Sequence, residues 1–278
     1  MHRSGRDVWR FIDSGPGPGP WNLALDEAIF QAVRKGESPP TLRLYRWSAP
    51  TLSIGYAQDR DRDVDSDACR ARNIDVIRRV TGGRAVLHSA EVTYSVSAPA
   101  GLPGFGPGLG EAYGRIASGL LAALKLLGLD AAAPAAAPPR SSCRPRDPAC
   151  FAAASRHEIV IAGRKLVGSA QRRAGGAFLQ HGSILLESHG ALLAEVLRGF
   201  PGPAGEARMT GLAELLHPAP SPEAVVAAVA EGCASAWGVR FLPGEPGGAE
   251  ELEARALEAS RYRSGDWNAV CRAGAPAA

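Results

Sequence analysis

Nothing in the chain reads as a disulfide framework or a zinc module. Its 278 residues hold five cysteines, Cys69, Cys143, Cys150, Cys233 and Cys271, an odd number at irregular spacing with no C-x-x-C. A stapled secreted domain or a metal finger needs paired, closely spaced thiols. A membrane span is also missing: the longest apolar region, "GLLAALKLLGLDAAAPAAAPP", is broken by Lys125, Asp130 and several prolines. The first residues, "MHRSGRDVWRFID", lack the apolar block of a signal peptide. Charge of one sign is scarce too. The net charge is +3, and in "DRDRDVDSDACRARNIDVIRR" (59–79) arginines are interleaved with aspartates. A general nucleic-acid binder carries a stronger positive excess. The mixture reads as a solvated face; the other reading is a shallow basic patch for an acidic protein partner. No P-loop, H-E-x-x-H stretch, Ser/His/Asp arrangement or internal repeat is visible. What remains is expected to be a soluble cytoplasmic protein with reduced thiols, with no nucleic-acid or membrane partner and no metal.

What is present is an ordinary globular composition, 45% hydrophobic and 21% charged, enough for a sizeable core. "WRFIDSG" (9–15) predicts a first strand and "GPGPGP" a loop. Leu25, Ala28, Ile29, Ala32 and Val33 recur at helical spacing in "NLALDEAIFQAVRKG", closed near Gly36. "TLRLYRW" and "TLSIGYAQ" read as strands. A second helix covers about 111–127, and the Ala/Pro/Arg-rich segment 130–149 has no periodicity and reads as a mobile loop. "HEIVIAG", "KLVGSAQ" and "AFLQHGSILLE" read as a meander with turns at Gly163 and Gly175–Gly176. Ser221 is an expected N-cap with Pro222 after it. The fold class expected is α+β: a central mixed β-sheet flanked by helices, in one domain over 1–278. A helical tail from about 206 packs on it.

Three stretches could carry chemistry. In "RRVTGGRAVLHSAEVTYSVSAP" (78–99), Gly82 and Gly83 let backbone approach a ligand, and Arg78, Arg79 and Arg84 bracket them with charge; a plain tight turn is the other reading. In "GRKLVGSAQRR" (163–173), Gly168 and Ala170 are unusually small for a strand, which suits close approach of a ligand. Lys165 there is either functional or a solvent-facing turn lysine. Cys150, in "DPACFAAAS", lies where the irregular segment meets a strand, an accessible place for a thiol. A nearby lysine would raise its thiolate fraction. His181 and His88 are each either a general base or a hydrogen-bonded structural histidine. Cys233 sits at helical spacing with Val226, Val229 and Trp237 and reads as packing.

Taken in order, "NLALDEAI" (22–29), "LRLYRWSAPTLSIGYAQ" (42–58), "RRVTGGRAVLH" (78–88), "GRKLVGSAQ" (163–171), "LQHGSILL" (179–186) and "YRSGDWN" (262–268) resemble one superfamily. It is the lipoate–protein ligase, octanoyltransferase and biotin–protein ligase group. "TGGRAVLH" together with "ACFAAAS" is most similar to the cysteine-dependent octanoyltransferases of Gram-positive type; the ATP-dependent ligases more often have a third glycine where Arg84 stands. The chain departs from the pattern at Val80, where proline is common, and at Ser89, where aspartate is usual.

The resemblance implies a biotin/lipoate-protein-ligase-like catalytic domain and a two-step acyl transfer without a cofactor. Octanoyl on acyl carrier protein passes to Cys150 as a thioester, then to a lysine of a lipoyl-domain protein or of glycine-cleavage H protein as an amide. Cys150 and Lys165 are the implied catalytic pair. Arg78, Thr81, Gly82, Gly83, Arg84, His88, Gly168, Ser169, Ala170 and His181 are the implied substrate-binding set. The alternatives are an ATP-dependent lipoate or octanoate ligase, octanoyl transfer between lipoyl domains, and a silent paralogue that only binds acylated carriers.

Overall fold

The computed structural model of the protein describes residues 7–131 and 159–269. The irregular segment 130–149 and Cys150 therefore fall almost entirely outside the described residues, as do Cys143 and Cys271.

The chain opens with β1 (Val8–Gly17), followed by α1 (Gly19–Lys35). Helix α1 has Pro20 in its first turn and ends at Gly36 in the left-handed conformation, φ 76°, a position that costs glycine nothing. Strands β2 (Thr41–Trp47) and β3 (Thr51–Ile54) come next, then the single turns α2 (Arg60–Asp63) and α3 (Ser66–Ala71). They lead into β4 (Asp75–Arg78), β5 (Val86–His88) and β6 (Glu91–Pro99), and then α4 (Leu109–Leu126). After the segment outside the description come β7 (Ile159–Ile161), β8 (Arg164–Ala174) and β9 (Ala177–Leu185). Three short helices follow, α5 (Gly190–Val196), α6 (Pro203–Glu206) and α7 (Leu212–Leu215). The chain then runs through α8 (Pro222–Trp237), β10 (Arg240–Pro243), α9 (Gly248–Leu257), a π-helical turn at Glu258–Tyr262 and α10 (Gly265–Ala269).

Seven strands form the main sheet in the order β10-β1-β2-β6-β9-β8-β7. Its β10–β1–β2 side is parallel and the rest antiparallel, which is the mixed sheet expected. The meander is present as β7–β8–β9, with positive φ at Gly163, Gly175 and Gly176. One buried cluster, including Trp9, Leu44, Val96, Ile116, Phe178 and Val229, lies on the face covered by α4 and α8. A second, including Ile12, Leu25, Ile29, Tyr45 and Leu179, lies under α1. Ser221 caps α8 by accepting the N–H of Ala224 at 3.2 Å.

Three elements differ from the sequence expectation. "GPGPGP" (15–20), expected as a loop, is divided: Gly15, Pro16 and Gly17 end β1, and Gly19 and Pro20 open α1, because proline is tolerated in the first turn of a helix. "TLSIGYAQ" is a strand only as far as Ile54, and it belongs to a separate three-stranded sheet, β4-β3-β5. The cause is Gly55: a Cβ there would stand 2.0 Å from the carbonyl oxygen of Gly83, so the backbone leaves the sheet to receive the glycine loop. The tail, expected to be helical, also contributes β10, an edge strand paired in parallel with β1.

The tail grips the same loop from behind. The backbone N–H of Arg78 donates to Asn268 Oδ1 at 2.8 Å, and Trp267 Nε1 donates to the Arg78 carbonyl at 2.7 Å. Asn268→Ala leaves a buried N–H without its acceptor, which costs about 1–3 kcal/mol. A lowered melting temperature is therefore expected, measured by calorimetry on the full chain.

Candidate functional site

Strands β2, β3, β5, β6, β8 and β9, the start of α1 and Arg79 line a narrow cleft with a cavity volume of about 30 Å³. Leu23, Tyr45, Trp47, Val86, Gly168 and Ala170 line it together with polar side chains, Ser53, Arg79, His88, Thr93, Ser169, His181 and Ser183. The antiparallel register explains the arrangement: Gly168 faces Ser183, Ser169 faces Gly182 and Ala170 faces His181 across β8 and β9. At Gly182 a Cβ would stand 2.4 Å from the Gly168 carbonyl oxygen, so only glycine lets the two strands close there.

The polar atoms of this wall are spent on one another. Ser53 Oγ lies 2.8 Å from His88 Nε2, and His88 Nδ1 lies 2.8 Å from Glu91 Oε1. Thr93 and Ser183 donate to the same Glu91 oxygen at 2.6 and 2.8 Å, and Trp47 Nε1 donates to Thr93 Oγ1 at 2.7 Å. The His88 ring stacks on Trp47 at 3.9 Å. Burial pushes the Glu91 carboxyl up, and His88, Thr93 and Ser183 pull it back below its usual value. A second relay is built alike. Thr81 Oγ1 lies 2.7 Å from His181 Nε2, and His181 Nδ1 lies 3.4 Å from Asp26 Oδ2. Tyr45 donates to that carboxylate at 2.9 Å, and Arg43, 1% exposed, donates to its other oxygen at 2.7 Å. Burial pushes Asp26 up, but Arg43 and His181 hold it below the usual carboxylate value. Burial pushes the His181 imidazole down, against the pull of Asp26. Ser169 and Gln180 are likewise turned onto Tyr94, at 2.6 and 3.0 Å.

Of the residues expected at the site, His88, Gly168, Ser169, Ala170 and His181 line the cleft. Thr81 stands just behind it on His181. Gly82 and Gly83 form the loop beyond, where a Cβ on Gly83 would lie 3.9 Å from that of Ala170. The Arg84 carbonyl accepts from Arg79 at 2.8 Å. Arg78 lies away from the cleft: its guanidinium donates to the carbonyls of Gly55, Tyr56, Gln58 and Trp267. Lys165 is 2% exposed and is not among the lining residues. It is no surface turn lysine: its N–H bonds the Arg208 carbonyl at 2.7 Å and its carbonyl accepts the Thr210 N–H at 3.0 Å. Cys150 lies outside the described residues. Sequence reasoning missed Asp26, Tyr45, Trp47, Ser53, Glu91, Thr93 and Ser183, and it left Arg79 out of the binding set. The signal was polar and aromatic residues at strand positions, with Asp26 on α1, and that does not distinguish a site wall from a solvent face or a core.

The two other thiols within the description are packing. Cys69 and Cys233 are both 1% exposed; burial pushes Cys69 up to about 11 and Cys233 further up. Neither thiolate forms appreciably at neutral pH. Alkylation of the native chain followed by peptide mapping is expected to leave both unmodified, and unfolding to expose both.

The fold and the cleft define a class: a mixed α+β domain with a cleft between a glycine loop and a small-residue strand. The chain belongs to the lipoyl protein ligase A/B catalytic domain family, whose model matches residues 18–234. It is 44% identical over 271 residues to octanoyltransferase LipM of Kyrpidia tusciae, covering 94% of this chain and 98% of that protein. It is 43% identical over 270 residues to the LipM of Symbiobacterium thermophilum, covering 94% and 97%. Among solved structures it resembles a lipoate-protein ligase A bound with ATP, with TM-score 0.78, 26% identity and 94% and 98% coverage. A bi-partite lipoate protein ligase from Thermoplasma acidophilum is similar, with TM-score 0.78, 25% identity and 94% and 96% coverage.

Proposed function

We propose that this protein is an octanoyltransferase of protein lipoylation, taking octanoyl from acyl carrier protein and delivering it to the lipoyl-accepting lysine of a lipoyl-domain protein or of glycine-cleavage H protein. Acyl transfer is supported by the LipM octanoyltransferases that match nearly the whole chain. The observation in the structure that carries it is the cleft wall. Histidines, serines and threonines line the space, yet their hydrogen-bonding atoms turn onto buried carboxylates and hydroxyls. A ligand therefore meets carbon, and burying a saturated chain there is favourable by about 0.8 kcal/mol per CH₂.

The chemistry proposed is a double displacement. The Cys150 thiolate attacks the carbonyl of the pantetheine thioester; the tetrahedral intermediate collapses, the pantetheine sulfur leaves and takes up a proton. The acceptor lysine amine then attacks the carbonyl on Cys150, loses a proton and displaces the cysteine sulfur, which restores the enzyme. Exchange of one thioester for another is near balance and amide formation runs downhill, so no nucleotide, metal or other cofactor enters. Cys150 precedes β7 in the sequence, and Val160 of that strand pairs with Lys165; a site shared by the thiol and the lysine is part of the proposal. No described helix is long and apolar enough to cross a membrane, and the proposed compartment is the cytoplasm, where carrier protein and acceptor would both be met.

The test is to mix the chain with octanoyl carrier protein and an acceptor domain, without ATP, and to follow all masses. One octanoyl increment on the enzyme, then on the acceptor, is expected. Strict dependence on ATP and free lipoate would overturn the transferase in favour of a ligase.

A further inference from the structure

The two relays of the cleft wall meet in one side chain. Arg79 donates from Nε to Thr81 Oγ1 at 3.1 Å and from Nη1 to Ser53 Oγ at 3.1 Å. Its other hydrogens go to the carbonyls of Ser53 at 3.1 Å, Gly82 at 2.7 Å and Arg84 at 2.8 Å. Those five bonds match the five N–H donors of a guanidinium. The direction of every bond outward from Arg79 follows. A guanidinium only donates, so Ser53 Oγ and Thr81 Oγ1 both accept from it. A hydroxyl can accept two bonds, so this alone does not orient its proton. Among the described residues, however, the one partner of each hydroxyl besides the donor Arg79 is the imidazole Nε2, 2.8 Å away on His88 and 2.7 Å on His181, and only donation to it leaves no buried hydroxyl proton unpaired. An Nε2 that accepts carries no proton, so the ring proton sits on Nδ1, facing Glu91 in one relay and Asp26 in the other.

We propose that Arg79 is a positioning residue that fixes His88 and His181 as neutral Nδ1–H tautomers, so that both rings turn C–H edges to the cleft, and that it thereby restricts the cleft to unsubstituted, uncharged acyl chains. The specificity half rests on the acyl reading of the cleft; the tautomer half does not. The charged and titratable groups around the two rings are Asp26, Arg43, Tyr45, Arg79 and Glu91, with His189 beside Glu91. The low position of the His181 titration agrees with a ring that stays neutral.

This is tested on the full chain labelled with ¹⁵N-histidine, by long-range ¹H–¹⁵N correlation of the side chains. His88 and His181 are expected to show the Nδ1–H pattern, and for His181, whose titration burial pushes down, the pattern is expected to persist between about pH 6 and 8, across the ordinary histidine pKa. Arg79→Lys keeps a charge and loses the fork; both rings are expected to leave the single-tautomer pattern. Ser53→Ala is expected to release His88 alone and Thr81→Ala to release His181 alone, and these two variants carry the test if Arg79→Lys fails to fold. The same samples are titrated with octanoate, 3-hydroxyoctanoate and 8-hydroxyoctanoate. The unmodified chain is expected to prefer octanoate, and in Arg79→Lys the preference over at least one hydroxylated acid should fall about tenfold, because a ring nitrogen or hydroxyl then pairs with it. Nε2–H or imidazolium signals in the unmodified chain would overturn the tautomer assignment. Unaltered preference in every variant would overturn the specificity role. Failure of the unmodified chain to bind octanoate at all would count against the acyl reading, and the tautomer result would stand apart from it.

Discussion

Cys150→Ala is expected to abolish octanoyl transfer while leaving the chain folded. Cys150 lies outside the described residues, so the melting temperature of the variant is measured beside its activity to separate chemistry from stability. Loss of a covalent nucleophile costs on the order of a million-fold in rate in enzymes that form acyl intermediates, and here it also deletes the atom that carries the acyl group. Intact mass should show no octanoyl increment on the variant, and the acceptor should stay unmodified. Cys150→Ser replaces the thiol with a hydroxyl that ionises far less readily, and it should fall near the same background. Of the five cysteines, Cys69 and Cys233 are buried with raised thiols, so neither is suited to substitute. A Cys150→Ala enzyme with full activity would exclude the thioester route.

The outline of this fold was legible in the sequence because its signals are local. The apolar spacing of α1, the Ser221–Pro222 start of α8 and the glycine turns of β7–β8–β9 depend on neighbours a few residues away, and each is found where the pattern puts it. The wall of the cleft was not legible, because its contacts join distant segments. Thr81 meets His181 across 100 residues, Asp26 meets His181 across 155, and Ser183 meets Glu91 across 92. Asp26 and Glu91 look like surface carboxylates until Arg43 and His88 are beside them. Arg78 and Arg79 show the limit most clearly. They are adjacent and chemically identical, and both are buried. The backbone leaving β4 turns one guanidinium back onto the Gly55–Gln58 carbonyls and the tail, and the other into the cleft wall. Charge near a glycine pair points to both; only the strand's end decides between them.

Lys165→Ala is expected to slow both half-reactions, each by about 100–1,000-fold, the usual cost of removing one donor that stabilises an oxyanion. A lysine that is 2% exposed has lost most of its hydration, so its charge is held by its surroundings. Its backbone is fixed on both sides, by Arg208 and Thr210 and by its place in β8 opposite Val160. Three residues further along the same strand Gly168 begins the cleft lining, a distance of about 10 Å at the rise of a β-strand. The side chain therefore starts from a rigid element next to the ligand space, which is how a donor is preorganised. In the first step its charge would favour the Cys150 thiolate and the tetrahedral oxyanion; in the second it would stabilise the oxyanion formed by the acceptor amine. Lys165→Arg keeps the charge with a planar, longer head and should restore only part of the rate. Lys165→Met keeps the apolar stem, so a melting temperature near the unmodified value together with the full kinetic loss would separate chemistry from packing. The measurement is mass-resolved timing of Cys150 acylation and, separately, of transfer from preformed acyl-enzyme. A Lys165→Ala enzyme that performs both steps at the normal rate would reduce Lys165 to a buried structural residue of β8.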